Sequence, residues 1–143
     1  MEPIIGYRAW IFKDGHLYSP IINEYIWPYG KPLKAENYIN EPAGAVTGIY
    51  AFKDKTSLKK EFGSQIYICN ISESYILVPF DKETKTLPIE FIYPGITKYP
   101  LIRGEVYLWG KIVEHEFGYR AEFAYPKKLY KHKNLAQKYG CEF

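Results

Sequence analysis

The chain of 143 residues lacks the features that mark several large classes of protein. It has only two cysteines, one methionine and two glutamines, and Cys69 and Cys141 form no Cys-x-x-Cys pair, so we expect free thiols. No apolar run approaches the ~20 residues that a membrane-spanning helix needs. The first residues also lack the basic segment and apolar run of a signal peptide, so we expect a cytoplasmic protein without a membrane partner.

Sequence motifs for common cofactors are absent as well. The chain contains no glycine-rich phosphate loop, nucleophile elbow or dinucleotide fingerprint. Its three histidines, His16, His115 and His132, have no metal-ligand spacing. We therefore expect neither a cofactor nor a metal, and the residues leave open whether the protein is an enzyme.

Arginine and aspartate are scarce beside lysine and glutamate. The chain has 16 Lys to 3 Arg and 13 Glu to 3 Asp, a bias that favours a thermophilic source. The net charge is +3, of which residues 126–143 carry +4 and residues 1–125 carry −1. The basic excess is thus confined to a C-terminal segment of what we expect to be one domain, residues 1–143, present as a monomer or homodimer.

What the chain does contain indicates a mainly β fold. Aromatic residues reach 18%, with 15 Tyr, and there are 17 Ile, all suited to strands. The pattern predicts a mainly β (α+β) domain with a single antiparallel sheet or half-open barrel of about six to eight strands and two short helices. Outside two hairpins, the predicted strands are 48–52, 65–70, 74–79 and 87–92, the helices 56–62 and 133–139, and the main loops 21–47 and 93–103.

Turn chemistry predicts the two hairpins. Asp14-Gly15 between strands 5–12 and 16–20 is typical of a type I′ turn, and this register places Phe12 opposite Leu17. The second hairpin joins strand 105–114 to strand 119–125 through a turn ending at Gly118, with Pro126 closing it. Its predicted register pairs Glu114 with Arg120, which gives one apolar face and one mixed face.

The sharpest local signal is a tetrapeptide that occurs twice, Gly6-Tyr7-Arg8-Ala9 and Gly118-Tyr119-Arg120-Ala121. Because this chain otherwise uses lysine for positive charge, arginine at these positions favours a bidentate or stacked contact. Each arginine could equally pair with a glutamate on the sheet, Arg120 with Glu114 above all. We predict a ligand-binding set in which both arginines meet the polar or aromatic residues Trp10, Ser19 and Glu122.

Two further groups are candidates for chemistry. Glu114, His115 and Glu116 could supply acid–base catalysis, although alternation along a strand separates neighbouring side chains. In the C-terminal segment, lysines could contact phosphates while an aromatic ring stacks on a base. That group comprises Lys127, Lys128, Tyr130, Lys131 and Lys133. We expect little nucleic-acid binding at physiological salt, since residues 1–125 carry a charge of −1.

The chain resembles a family of small prokaryotic and viral proteins without an assigned activity. The likeness lies in Gly-Tyr-Arg-Ala-Trp at 6–10, Gly-Ile-Tyr-Ala at 48–51 and Leu-Trp-Gly at 108–110, followed by Glu-His-Glu-Phe-Gly-Tyr-Arg-Ala-Glu at 114–122. Relatives carry cysteines just before the second motif, where this chain has Val46 and Thr47. A viral member would act in the host cytoplasm.

A second, weaker resemblance is to the ADP-ribosyltransferase fold. Such enzymes place an arginine on the first strand, as Tyr7-Arg8 would, and a Glu-x-Glu pair late in the chain, as at 114–116. Their middle Ser-Thr-Ser motif is missing here.

Three functions follow, in order of preference. We favour a non-catalytic binding or accessory module that holds a small anionic ligand in a cleft lined by one charged cluster, Arg8, Glu114, Arg120 and Glu122. An enzyme acting on a nucleotide-like anion comes second, and a nucleic-acid-binding protein using the lysine-rich C-terminus comes third.

Overall fold

The fold is taken from a computed structural model that describes residues 2–19, 26–35, 48–62, 67–71, 74–78 and 98–143. In this part of the chain it has nine strands and two helices. The strands are β1 (Ile4–Lys13), β2 (His16–Tyr18), β3 (Ile26–Trp27), β4 (Leu33–Lys34), β5 (Ile49–Phe52), β6 (Tyr67–Ile71), β7 (Ser74–Val78), β8 (Lys98–Glu114) and β9 (Gly118–Leu129). The helices are α1 (Lys55–Phe62) and α2 (Lys133–Tyr139).

The architecture is mainly β, as the sequence predicts. Seven strands form one antiparallel sheet, and the β6–β7 hairpin joins it where β6 pairs with the start of β8. Within the sheet, β1 pairs with β8, β8 with β9, β9 with β5, and β5 with β1. These four strands therefore form a ring around the core. No helix in the described segments is long and apolar enough to cross a membrane.

The main core lies inside the ring, and alternation along β1 decides which side chains enter it. Trp10 faces inward and is fully buried, while Ala9 and Ile11 face the other side. Helix α1 covers that second face through Leu58 and begins at Asp54, whose carboxylate accepts a hydrogen bond from the Ser57 backbone. Each face of β1 is thus buried against a different part of the chain.

The first hairpin and both helices confirm their predictions. Asp14 and Gly15 both have positive φ, 50° and 77°, as a type I′ turn requires, and Phe12 pairs with Leu17. The described parts of predicted strands 48–52, 65–70 and 74–79 lie in β5, β6 and β7. The predicted strand 87–92 lies outside the described residues.

The predicted register of the second hairpin is wrong by one residue. Glu114 pairs with Tyr119, and Arg120 pairs with Val113. Since side chains alternate between faces, this shift moves Glu114 and Arg120 to opposite faces of the hairpin. A register shift between Trp109 and Ile112 moves the pairing by one more residue, so that Trp109 pairs with Phe123. Gly110 lies within this irregularity and has a left-handed backbone conformation, with a φ of 80°.

Both strands of this hairpin also extend further than predicted. Residues 98–103, predicted as loop because of Pro100, form the start of β8. Strand β9 continues past Pro126 to Leu129, with a second register shift beside that proline. Gly104 permits the close approach of the two strands, because a Cβ there would lie 2.0 Å from the Lys128 carbonyl oxygen.

Tyr139 of α2 anchors the helix to the β2–β3 hairpin. Its buried hydroxyl accepts from the Leu17 amide at 2.8 Å and donates to the Trp27 carbonyl at 2.7 Å. Its own carbonyl accepts from the Tyr125 hydroxyl. One side chain thus satisfies two buried backbone groups of neighbouring strands.

We expect Tyr139→Phe to lower the free energy of unfolding by about 1–3 kcal/mol, because it leaves a buried amide and a buried carbonyl without partners. Urea unfolding followed by circular dichroism measures the change. Tyr29→Phe is the matched control, since its hydroxyl bonds the Gly15 carbonyl at an exposed position and should cost less. Equal losses in the two variants would contradict the proposed anchor.

Candidate functional site

Arg8 lies inside the ring, where it bridges a gap between two strands. β1 and β5 pair at a single register position, Tyr7 with Phe52. Beyond that position, Arg8 Nη1 donates to the Tyr50 carbonyl of β5 at 2.8 Å. The guanidinium therefore joins the two strands where a backbone pair is missing.

The surroundings of Arg8 are aromatic and neutral. Its Nη2 donates to Ser19 Oγ at 3.1 Å, and the same oxygen accepts from Trp27 Nε1. The guanidinium carbon lies 5.8 Å and 4.9 Å from the ring centroids of Trp10 and Trp27. No described carboxylate lies within ion-pair distance, and burial lowers the pKa of Arg8 to about 9.

Three of the predicted ligand-binding residues therefore share one network: Arg8, Trp10 and Ser19. Trp27, which the sequence left in a loop, completes it. Trp10 Nε1 is buried and has no hydrogen-bond partner in the described part of the chain. The network holds a positive charge in the core by hydrogen bonds and ring faces.

Arg120 approaches the same strand from the outer side. It pairs with Tyr50 across β5 and β9, so its Cα lies within about 10 Å of the Arg8 guanidinium. Its Nε donates to His115 Nε2 at 2.7 Å, which places the imidazole proton on Nδ1. The Tyr50 and His115 rings lie 6.4 Å apart.

Two of the three predicted acidic residues, Glu114 and Glu122, contact described groups other than the two arginines. Glu114 is mostly exposed and binds Lys53 Nζ at 2.6 Å. Glu122 accepts from the Lys111 amide at 3.2 Å. Glu116 is exposed. The hydrogen bonds described above for Arg8 and Arg120 go to Tyr50, Ser19 and His115 and not to these carboxylates. The catalytic role of residues 114–116 and the ligand-binding role of the arginines stay predictions.

The C-terminal lysines divide into two groups. Lys127 Nζ lies 3.0 Å from Glu142 and 3.6 Å from Glu105, and the hydrogen bond to Glu142 raises its pKa. Lys131 and Lys133, by contrast, line a cavity of about 350 Å³ beside α2. The positive charge of Lys127 is thus compensated by two carboxylates, whereas Lys131 and Lys133 border an open space.

This space, which we call the α2 cavity, has a basic and an apolar lining. Its polar lining residues are Lys131, His132, Lys133, Asn134 and Lys138. Its apolar lining residues are Phe12, Ile102 and Leu135. All eight belong to the described part of the chain, and none is a carboxylate. Lys138 belongs to the basic C-terminal segment recognised in the sequence, and α2 places it in the same lining as Lys131.

A second cavity, of about 300 Å³, lies beside α1 and is called the α1 cavity. It is lined by Lys55, Leu58, Lys59, Arg103 and Tyr130. Lys55 Nζ lies 5.1 Å from the centroid of the Tyr130 ring, whose hydroxyl donates to Glu105 at 2.8 Å. Burial raises the pKa of Tyr130 and lowers that of Arg103. No local sequence signal connects these five residues.

Comparison with known proteins gives no matching family model, no matching curated protein and no matching solved structure. Within the described segments, no group of three or more His, Cys, Asp or Glu side chains is placed to hold a metal ion. Cys141 is a free thiol, as predicted. The family resemblance and the thermophilic source stay predictions.

We expect Arg8→Lys to be more destabilising than Arg8→Met, with a loss of about 3–5 kcal/mol for lysine. Lysine leaves a charge in the core but cannot reach Tyr50 and Ser19 together, whereas methionine removes the charge. Urea unfolding of both variants measures the difference. A lysine variant as stable as the natural protein would show that the guanidinium does not join β1 to β5.

The α2 cavity should also make stability depend on pH. Burial lowers the pKa of His132 below its usual 6.5, so the unfolded chain binds this proton more readily than the folded chain does. As pH falls from about 7.5 to about 5.5, the His132 contribution to the free energy of unfolding must decrease.

His132→Asn removes this contribution, so the variant should lose less stability than the natural protein over that pH range. Urea midpoints at both pH values measure it. His16→Asn is the control, because His16 lies outside the cavity. Identical pH profiles for the natural protein and His132→Asn would contradict the expected burial effect.

Proposed function

We propose that this protein is a non-catalytic binding module for a small phosphate-bearing ligand, and that the α2 cavity is its site. The observation that carries the proposal is the lining: three lysines and one histidine around about 350 Å³, with no carboxylate among the described lining residues. Cavities that bind small molecules begin near this volume. The lining chemistry selects an anion.

Phosphate suits this site better than a single carboxylate does. Lys131, Lys133 and Lys138 come from a turn and from two positions of α2, so they can surround a group with several charged oxygens. Lysine binds phosphate as a compact point charge. Phe12, Ile102 and Leu135 offer apolar surface to an organic part of the ligand, so a phosphate ester fits better than inorganic phosphate alone.

The structure gives the α2 cavity a firm frame. Leu135 and Ala136 of α2 are buried in the main core, and Ile102 and Phe12 belong to or pack against that core. The helix ends at Gly140 in a left-handed conformation, with Cys141 N bonded to the Ala136 carbonyl. The lysines thus project from backbone that is held in place before a ligand arrives.

Binding is tested by thermal shift and calorimetry with inorganic phosphate, AMP and ATP. A ligand at about 100 times its Kd should stabilise the protein by ~2.7 kcal/mol. The variant Lys131→Gln/Lys133→Gln/Lys138→Gln should bind at least about tenfold more weakly, since it removes three charge contacts.

The matched control is Lys31→Gln/Lys34→Gln/Lys111→Gln, which removes the same charge from exposed positions outside both cavities. It should bind like the natural protein. An equal loss in both triple variants would show nonspecific attraction, and the absence of binding to all three phosphates would refute the proposed function.

A further inference from the structure

The α1 and α2 cavities share one wall. Two pairs of consecutive residues are divided between the cavities. Ile102 and Lys131 line the α2 cavity, whereas their neighbours Arg103 and Tyr130 line the α1 cavity. Tyr130 N donates to the Arg103 carbonyl at 2.9 Å, so this backbone pair forms part of the wall. The two cavities therefore lie back to back across one short stretch of backbone.

None of the described residues that line the α1 cavity is a carboxylate either. It has three cations, Lys55, Lys59 and Arg103, beside the apolar surfaces of Leu58 and Tyr130. Two described carboxylates lie next to residues of this lining: Glu105 accepts from the Tyr130 hydroxyl, and Asp54 caps α1. Together the two cavities present six lysine or arginine side chains around one edge of the fold.

We infer that a single-stranded nucleic acid crosses this edge and occupies both cavities. This inference rests on the proposed function of the α2 cavity and names the class of ligand that reaches beyond it. A ligand with one phosphate can satisfy only one cavity. A strand carries a phosphate at every nucleotide and an apolar base face between them, which matches cations placed beside Tyr130 and Leu58. In a duplex the base faces are stacked inside the helix and are not available to Tyr130.

The structure also changes the electrostatic argument from the sequence. Little nucleic-acid binding was expected because residues 1–125 carry a charge of −1. Yet Lys55, Lys59 and Arg103 belong to those residues and lie on the far side of the wall formed with residue 130. The two linings thus bring together six cations that are distant in sequence.

The experiment is fluorescence anisotropy of labelled oligothymidylates of about 2, 4 and 8 nucleotides, lengths that run from below the range of about 4–16 nucleotides of typical single-strand sites into it. Affinity should rise at least about tenfold with length until both cavities are filled and then level off. Log affinity should fall with log salt with a slope of about −0.7 for each phosphate contact, so four contacts give about −3.

The variant Lys55→Gln/Lys59→Gln should remove the gain with length and leave AMP binding at the α2 cavity unchanged. Its control is Lys31→Gln/Lys34→Gln, with the same change in charge. Tyr130→Leu should weaken oligonucleotide binding and leave inorganic polyphosphate binding unaffected, because only bases use the ring. Tyr130→Phe, which keeps the ring, should bind like the natural protein. Urea unfolding of each variant checks that it folds.

Three results would overturn the inference. If AMP binds the α2 cavity but oligonucleotides bind no more tightly than AMP, the strand is excluded and the proposed function stands. If polyphosphate of equal charge, or a duplex, binds as tightly as the single strand, the cavities do not select single-stranded bases. If neither AMP nor oligonucleotides bind, both the proposed function and this inference fail.

Discussion

A single buried guanidinium closes the ring on which the fold depends. β1 and β5 share only one paired position, and Arg8 joins them beyond it through the Tyr50 carbonyl. The charge lies beside two tryptophan rings that contact each other, with no described carboxylate within ion-pair distance, so its hydrogen bonds must offset its loss of water. Without the contact from Arg8 to Tyr50, β5 would be joined to β1 by one backbone pair alone. The same strand pairs with β9 at four positions, one of which is Arg120.

The fold was predictable wherever local chemistry determines it. Asp14-Gly15 sets its own turn, and the stop at Gly140 ends α2 where the sequence predicts. The register of the second hairpin was not predictable, because the turn after Glu114 places Tyr119 rather than Arg120 opposite it, and Gly110, whose positive φ no sequence pattern reveals, then accompanies a further shift. One irregular residue shifts the phase of every side chain beyond it.

The candidate site was only partly predictable for a different reason. Tyr130, Lys131 and Lys133 stood out because they are close in sequence and basic or aromatic. Lys55 and Arg103 did not, since their relation to Tyr130 arises only when α1 packs against the sheet and β8 runs beside the C-terminal segment. Sequence patterns therefore identify the lining residues that are close together in the chain, whereas the remaining lining residues are recognised only in the tertiary structure.

The pairing of β1 with β8 has a consequence for how the chain reaches its fold. Ile4 pairs with Leu108 and Ile11 with Leu101, so closing the ring joins segments separated by on the order of 100 residues. Such distant pairing requires a large loss of chain entropy before the contacts between the strands can stabilise the chain. We therefore expect folding in the range of about milliseconds to seconds. The two hairpins can form early, and their docking should limit the rate.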